Sequence, residues 1–309
     1  MTQVLRIATR KSPLAMWQAE HVQQRLLDLY PDLSVELVAM TTRGDQLLDS
    51  PLARIGGKGL FIKELERAML DGEADLAVHS IKDMPAVIPE GFELGPVLKR
   101  ESPFDALVSG TYSSLEALPE GARVGTCSLR RRAQLLAHFP TLQISDLRGN
   151  VNTRLAKLDA GDFDAIVLAV AGLERLEMHQ RIRQSLAPEL CLPAVGQGAI
   201  ALEIRAGDEH TRSLVAPLED PDTLNRITAE RSLNATLNGG CQAPVAGFAE
   251  LDDDQIQLRA LVATPDGKTV LAESQSAPRS EARELGISVG NALLQQGADR
   301  ILAALTREQ

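Results

Sequence analysis

Leu5-Arg6-Ile7-Ala8-Thr9-Arg10-Lys11-Ser12-Pro13-Leu14 decides the fold class. The apolar run Val4 to Thr9 reads as a buried strand. Ser12-Pro13 reads as a helix start, with serine as N-cap and proline at the first helical position, where its missing N–H costs nothing. Leu14, Trp17, His21, Val22 and Leu26 then recur at helical spacing as far as Tyr30, and Pro31 stops the helix. Ser34 to Met40 is a second strand. Strand, helix and strand in that order predict a parallel βαβ unit.

Outward from this unit comes a polar, glycine-rich loop, Thr41 to Gly59, which holds Arg43, Asp45, Arg54 and Gly56-Gly57-Lys58-Gly59. A helix over Leu60 to Leu70 leads into the strand Ala74 to Val78, and His79-Ser80-Ile81-Lys82-Asp83-Met84-Pro85 forms the turn at its carboxyl end. A second stretch repeats this grammar. Arg123-Val124-Gly125-Thr126 echoes Arg6-Ile7-Ala8-Thr9, and Gly161-Asp162-Phe163-Asp164-Ala165-Ile166-Val167 echoes Gly72-Glu73-Ala74-Asp75-Leu76-Ala77-Val78. The echo suggests two α/β domains of one plan, although the offsets differ and coincidence produces such an echo as well. Glu101-Ser102-Pro103 and Leu192-Pro193-Ala194-Val195-Gly196-Gln197-Gly198 read as crossings between them, with Ala199 to Ile204 returning to the first. Beyond Pro217 the pattern changes to a helix over Thr223 to Leu237 and three short strands near 245–250, 255–263 and 269–274. Turns at Asp252-Asp253-Asp254 and Pro265-Asp266-Gly267 separate those strands. Helices near 280–296 and 298–306 close a separate α+β domain. The expected domains are 1–99 with 200–217, then 100–199, then 218–309.

With 309 residues, 44% of them hydrophobic, the chain is long enough for two or three domains and ample cores. No apolar run approaches the roughly 18 residues of a membrane span. The first residues mix Arg6, Arg10 and Lys11 with polar side chains rather than a signal-peptide core, so a cytoplasmic protein is expected. Three scattered cysteines, Cys127, Cys191 and Cys241, make no disulfide framework, and five isolated histidines make no zinc site. A net charge of −10 argues against a nucleic-acid or anionic-membrane binder. Any anion must therefore meet a local concentration of Arg and Lys.

Such a concentration exists. Arg10, Lys11 and Ser12 follow the first strand. Thr126, Ser128, Arg130, Arg131 and Arg132 follow the strand that opens at Arg123. Arg148, Asn150 and Arg154 lie at the next helix start, and Arg175 follows the strand ending near Val170. In open α/β sheets a ligand sits outside those strand ends, where helix N-termini offer N–H groups. The guanidinium fork suits carboxylates, so the cluster reads as a site for a ligand bearing several carboxylates or phosphates, although any single Arg of this kind also serves a solvated helix end or a surface salt bridge. Phosphate-loop readings fail: Gly267-Lys268-Thr269 lacks the first glycine of a Walker motif, since Val262 stands there, and Gly56-Gly57-Lys58-Gly59 lacks the preceding strand. Asp83 is placed to move a proton or stabilise a cation, although an Asp also caps turns of this kind. Cys241, in a Gly-Gly-Cys loop, is placed as a nucleophile, although a lone cysteine is also a small buried hydrophobe. A non-catalytic receptor for an anionic small molecule accounts for the arginines but leaves Asp83 and Cys241 without a role.

Several stretches resemble the porphobilinogen deaminase family in order along the whole chain. They are Leu5 to Ala15, Thr42-Arg43-Gly44-Asp45, Gly56 to Phe61, His79 to Pro85, Ser128-Leu129-Arg130-Arg131, Asp146 to Asn150, Leu192 to Gly198 and Gly239-Gly240-Cys241-Gln242. The resemblance implies two periplasmic-binding-protein-like α/β domains with a third, smaller α+β domain. It implies head-to-tail condensation of four porphobilinogen molecules into hydroxymethylbilane, with loss of ammonia, for tetrapyrrole synthesis. It further implies a dipyrromethane cofactor on a thioether to Cys241, with Asp83 as the catalytic acid. Lys82, Ser80, Thr126, Ser128, Arg130, Arg131 and Arg154 are implied as cofactor contacts. Arg10, Ser12, Lys58, Arg148, Asn150, Arg175 and Gln197 are implied as substrate contacts. No metal, nucleic acid or membrane is implied, and the chain is expected to be monomeric. Cys127 stands where relatives carry a small hydroxyl residue.

Overall fold

The computed structural model describes residues 4–42, 44, 62–240 and 243–307. They divide into two compact units, residues 1–100 with 199–224 and residues 101–198 with 225–309. Arg43, Asp45, Arg54, Lys58 and Cys241 lie outside the described residues.

In the first unit, β1 (Val4–Arg10) runs into α1 (Pro13–Leu29), and β2 (Ser34–Met40) returns parallel to β1 from Val4↔Ser34 to Arg10↔Met40. Helix α2 (Lys63–Leu70) leads to β3 (Leu76–Ser80), which lies parallel on the other side of β1. Then β4 (Phe92–Val97) and the late strand β10 (Ile200–Arg205) complete the order β2-β1-β3-β10-β4, with β10 antiparallel to both its neighbours. Helices cover both faces, which is why these strands read as continuous apolar runs. Leu5, Ile7, Leu76, Val78, Leu202 and Ile204 pack with Ala19, Val22 and Leu26 of α1. Ala8 and Ala77, on the opposite face, pack with Leu65, Ala68 and Met69 of α2. Each such fully buried Leu or Ile contributes about 1.5–3 kcal/mol relative to an exposed one.

The second unit repeats this plan. It contains β5 (Asp105–Val108), β6 (Arg123–Gly125), α3 (Leu129–His138), β7 (Gln143–Ser145), α4 (Val151–Asp159), β8 (Ala165–Ala169), α5 (Val170–Arg175) and β9 (Ile182–Leu186). Their sheet has the order β7-β6-β8-β5-β9, parallel at β7-β6-β8 and antiparallel at β5. The sequence echo has a physical counterpart. Asp75 accepts the Arg6 N–H at 2.8 Å while the Arg6 guanidinium donates to Gly72 O at 2.7 Å. Asp164 accepts the Arg123 N–H at 2.7 Å while the Arg123 guanidinium donates to Gly161 O at 3.0 Å.

After α6 (Glu209–Val215) and α7 (Pro221–Thr236), strands β11 (Val245–Asp252), β12 (Gln255–Ala263) and β13 (Val270–Pro278) form an antiparallel meander, followed by α8 (Ala282–Gln295) and α9 (Ala298–Arg307). Ile256, Leu258 and Val262 of the sheet pack with Leu233 of α7 and Val289 and Leu293 of α8. A β-carbon at Gly286 would sit 2.2 Å from Ala229 O, so α7 and α8 approach more closely than any side chain allows. Ala246, Phe248 and Leu261 pack against Ala133 of α3 and Leu192. Gly267, at φ 70°, brings the β12–β13 turn onto the α3 backbone, where a β-carbon would lie 2.5 Å from Ala133 O. Among the described residues no helix is long and apolar enough to cross a membrane, and no cluster of His, Cys, Asp and Glu is arranged to hold a metal ion.

Candidate active site

In the first sheet, β1 and β3 are parallel neighbours, so their carboxyl ends lie side by side. Arg10, half-buried, closes β1. Ser12 caps α1, its Oγ accepting the Ala15 N–H at 3.4 Å, and the buried Thr9 hydroxyl donates to Ala15 O at 3.0 Å. Ser80 closes β3, and its Oγ accepts from Gln18 Nε2 at 2.8 Å, which leaves the hydroxyl proton available to donate elsewhere. A single 3₁₀ turn, Ile81–Asp83, follows. Its Ile81 N–H donates to Ala199 O at 3.1 Å and the Met84 N–H to Ile81 O at 3.0 Å. Ile81 and Met84 are buried, Lys82 is half-buried and Asp83 is exposed. Two apolar anchors thus hold a turn whose charged residues are not in the core.

In the second sheet the parallel strands β7, β6 and β8 likewise end together. After β6, the Thr126 hydroxyl accepts the Ser128 N–H at 3.2 Å, and Ser128 caps α3 by accepting the Arg131 N–H at 3.4 Å. No acid occupies the first turn of α3, where Arg130, Arg131 and Arg132 follow Leu129. Positive charge at a positive helix end is unfavourable without compensation. Asp105, the first residue of β5 and fully buried, supplies it. Its Oδ1 accepts from Arg131 Nε at 3.0 Å, Arg131 Nη2 at 2.7 Å and Gln197 Nε2 at 2.9 Å. Its Oδ2 lies 2.8 Å from Arg130 Nη2 and accepts from Cys191 Sγ at 3.3 Å. Arg130 also donates to Leu192 O at 2.7 Å, and Arg131 to Val167 O at 2.9 Å.

Burial pushes the Asp105 carboxyl up, but the two guanidiniums outweigh it and hold the acid well below the usual carboxylate range. Burial works against the Arg130 charge too, and the Asp105 carboxylate overcomes it and raises that pKa. Cys191, buried beside the same carboxylate, is pushed up to about 12 and stays a neutral thiol.

Of the residues the sequence singled out, Arg130, Arg131 and Gln197 therefore sit in a buried network, at 4%, 6% and 1% exposure. Arg175 at the end of α5 is buried as well, with Nε 2.5 Å from Glu101 Oε2 and Nη2 donating to Gly198 O at 2.9 Å. Burial lowers its pKa and Glu101 partly restores it. After β7, Asn150 caps α4 by accepting the Thr153 N–H at 2.9 Å, and half-buried Arg154 donates from Nε to Gly149 O at 2.8 Å. Half-buried Arg148 has Nη2 3.4 Å from Asp146 Oδ2. Cys127 is half-buried. Asp105 was not singled out by sequence, and Glu101 entered only as part of the crossing Glu101-Ser102-Pro103. The only trace of Asp105 there is an acid opening the apolar run Ala106-Leu107-Val108.

The family model described as the dipyromethane cofactor binding domain of porphobilinogen deaminase matches residues 5–213, and that of the porphobilinogen deaminase C-terminal domain matches residues 224–295. The chain belongs to the porphobilinogen deaminase family. It is a transferase that condenses porphobilinogen into hydroxymethylbilane, with loss of ammonia, on a dipyrromethane cofactor, in tetrapyrrole synthesis. Solved structures similar to it include the periplasmic VFT2 domain of Bordetella pertussis BvgS, at 18% identity over 69% of this chain and 85% of that one, with a TM-score of 0.42. The aliphatic sulphonate binding protein SsuA of Escherichia coli is similar at 16% identity over 77% and 71%, with a TM-score of 0.41. A putative methionine-binding lipoprotein of Bacillus subtilis is similar at 13% identity over 70% and 88%, with a TM-score of 0.42.

Proposed function

We propose that Asp83 is the catalytic acid of this condensation and that the strand ends around it and in the second unit hold the pyrrole carboxylates. The observation that carries the reading is the turn at the end of β3, where exposed Asp83 and half-buried Lys82 stand between two buried anchors. Porphobilinogen bears an acetate, a propionate and an aminomethyl group, which is protonated to the ammonium form before it leaves. When its C–N bond breaks, the electron pair leaves on nitrogen as ammonia and a cationic methylene-pyrrolenine remains. A carboxylate about 4 Å from that cation is worth about 4 kcal/mol at an effective dielectric of 20. After carbon–carbon bond formation, the Asp83 carboxylate is placed to take up or hand on the proton released.

The dipyrromethane group, which also carries acetate and propionate side chains, fits the donors of the second unit. Thr126 and Ser128 bring hydroxyls, and Arg148 and Arg154 are half-buried rather than sealed in the core. Each buried guanidinium has five N–H donors, more than the contacts of Arg130 and Arg131 described above use, so both remain in the proposed cofactor set. Cys241 would hold the group through a thioether, and the chemistry it would supply is a nucleophilic pyrrole carbon. Lys82 and Ser80 are assigned to it as well, and Arg10, Ser12, Lys58, Asn150, Arg175 and Gln197 to the substrate. A cytoplasmic monomer of three domains, divided as the sequence suggests, completes the reading.

The test joins mass and turnover. Intact mass and peptide mapping should show an adduct on Cys241, and Asp83→Asn should lower kcat by about 10²–10⁴ with an unchanged melting profile. An unmodified, fully active chain, or an Asp83→Asn variant with normal turnover, refutes the assignment.

A further inference from the structure

We propose that His79 and Glu203 are positioning residues for the condensation: their buried pair fixes the end of β3 and, through it, the turn that carries Lys82 and Asp83. The inference rests on the reading of Asp83 as the catalytic acid. His79 Nε2 lies 2.9 Å from Glu203 Oε2, and both side chains are buried. They come from antiparallel neighbours in which Ala201 pairs with His79 and Glu203 with Ala77, so the contact crosses the ladder diagonally. Ala77, two residues before His79, packs with Leu65 and Met69 of α2. In the parallel pairing of β1 and β3, Arg10 lies two residues beyond Ala8 as His79 lies two beyond Ala77. From α2, Lys63 and half-buried Glu66 act on the same group of charges. Burial first, and the Glu203 charge second, raise the Glu66 carboxyl above its usual range.

A buried pair of this kind is a poor stabiliser. Desolvation cancels much of its attraction, and apolar side chains of similar volume do as well or better. Glu203 Oε1, moreover, finds no hydrogen-bond partner among the described residues. What the pair supplies is direction. A hydrogen bond of fixed length between strands admits one setting of their ends, where apolar packing tolerates sliding. One residue past His79 stands Ser80, and one residue further the Ile81 N–H makes the last bond to the β10 side, at Ala199 O. Asp83 follows four positions after His79, within a single 3₁₀ turn. A displacement of about 1 Å at a reacting group costs on the order of 100-fold in rate.

The decisive variant carries His79→Leu and Glu203→Leu together, because removing both partners orphans no charge. With turnover referred to cofactor-loaded chains, we expect folding with an undiminished melting midpoint, kcat lowered about 10- to 100-fold and KM within about threefold. Glu203→Gln keeps the volume and a weaker, neutral hydrogen bond. It should give an intermediate loss of about 3- to 10-fold in kcat. Wild-type kcat in the double variant overturns the proposal, as does a change confined to KM. If the double variant does not fold, Glu203→Gln decides in its place, and an unchanged kcat there is equally fatal. Asp83→Asn measured alongside separates the two ideas. Normal turnover in Asp83→Asn removes the catalytic reading and the inference with it, whereas loss in Asp83→Asn beside an unaffected double variant removes the inference alone.

Discussion

Replacing Asp105 by Asn removes one negative charge from beneath two buried guanidiniums and keeps the shape of the side chain. Breaking a buried pair by removal of one partner costs about 3–5 kcal/mol, because the remaining charge is left uncompensated. Asp105 is the shared partner of Arg130 and Arg131, and the Asn amide N–H₂ faces donors where an acceptor stood. Against a total stability of about 5–15 kcal/mol, such a loss is large. At about 2–4 °C per kcal/mol for units of this size, the melting midpoint should fall by about 6–20 °C at pH 7. Acidity supplies a second signature. Asp105 binds its proton more weakly in the folded chain than in the unfolded one, so the unfolded state takes up more protons as pH falls. The stabilisation is complete above the unfolded pKa of about 4 and drains away as pH drops below it toward the depressed folded value. The gap between wild type and Asp105→Asn should therefore narrow below about pH 4. Calorimetry or circular dichroism from neutral pH to about pH 3 reads both effects. A variant that melts with the wild type at pH 7, or a gap that is constant throughout, refutes the reasoning.

Other consequences are as direct. Burial pushes the Cys191 thiol up and seals it from reagent, whereas Cys127 is half-buried, so native alkylation read by peptide mass should mark Cys127 well before Cys191. Equal labelling of the two would contradict the buried setting. Gly267→Ala pairs a positive φ with a β-carbon driven into the α3 backbone, and should cost about 1–3 kcal/mol, seen as a lower denaturant midpoint. Asp75→Asn and Asp164→Asn weaken equivalent clasps in the two sheets and should each cost about 1–3 kcal/mol. A neutral result at both sites would mean the repeated geometry is incidental to stability.

What the sequence disclosed follows from where each element finds its burial. The β1–α1–β2 unit and the β11–β12–β13 meander carry their own periodicity, caps and turns, and their observed limits lie within a few residues of those expected. The strands β4, β5 and β9 were not legible. They span four to six residues, β4 includes Gly95 and Pro96, and their place is set by strands distant in sequence. The site divides in the same way. Thr126, Ser128, Arg148, Asn150 and Arg154 stand after β6 and β7, because strand ends and helix caps are local signals. The burial of Arg131 and Arg175 was hidden, since their acids lie 26 and 74 residues away. A guanidinium reads alike in sequence whether its carboxylate belongs to a ligand or to the chain.

That ambiguity bears on how a strongly acidic chain holds a polycarboxylate. Three arginines open α3 with no acid in its first turn, and the fold turns two of them inward onto a single carboxylate. Two guanidiniums against one Asp105 leave one positive charge, and Cys191, held neutral by burial, does not cancel it. This residual charge is buried in the first turn of α3, at the positive end of the helix, where water screens it little. Arg148 and Arg154 are half-buried instead, and the proposed function assigns them to carboxylates of the cofactor and substrate. Under the proposed function these arginines are thus of two kinds, Arg130 and Arg131 anchored on a carboxylate of the chain with donors to spare, and Arg148 and Arg154 outside that buried network. Substitution of Asp105 disturbs the first by loosening its geometry, whereas Arg154→Ala removes a member of the second and leaves the buried network intact.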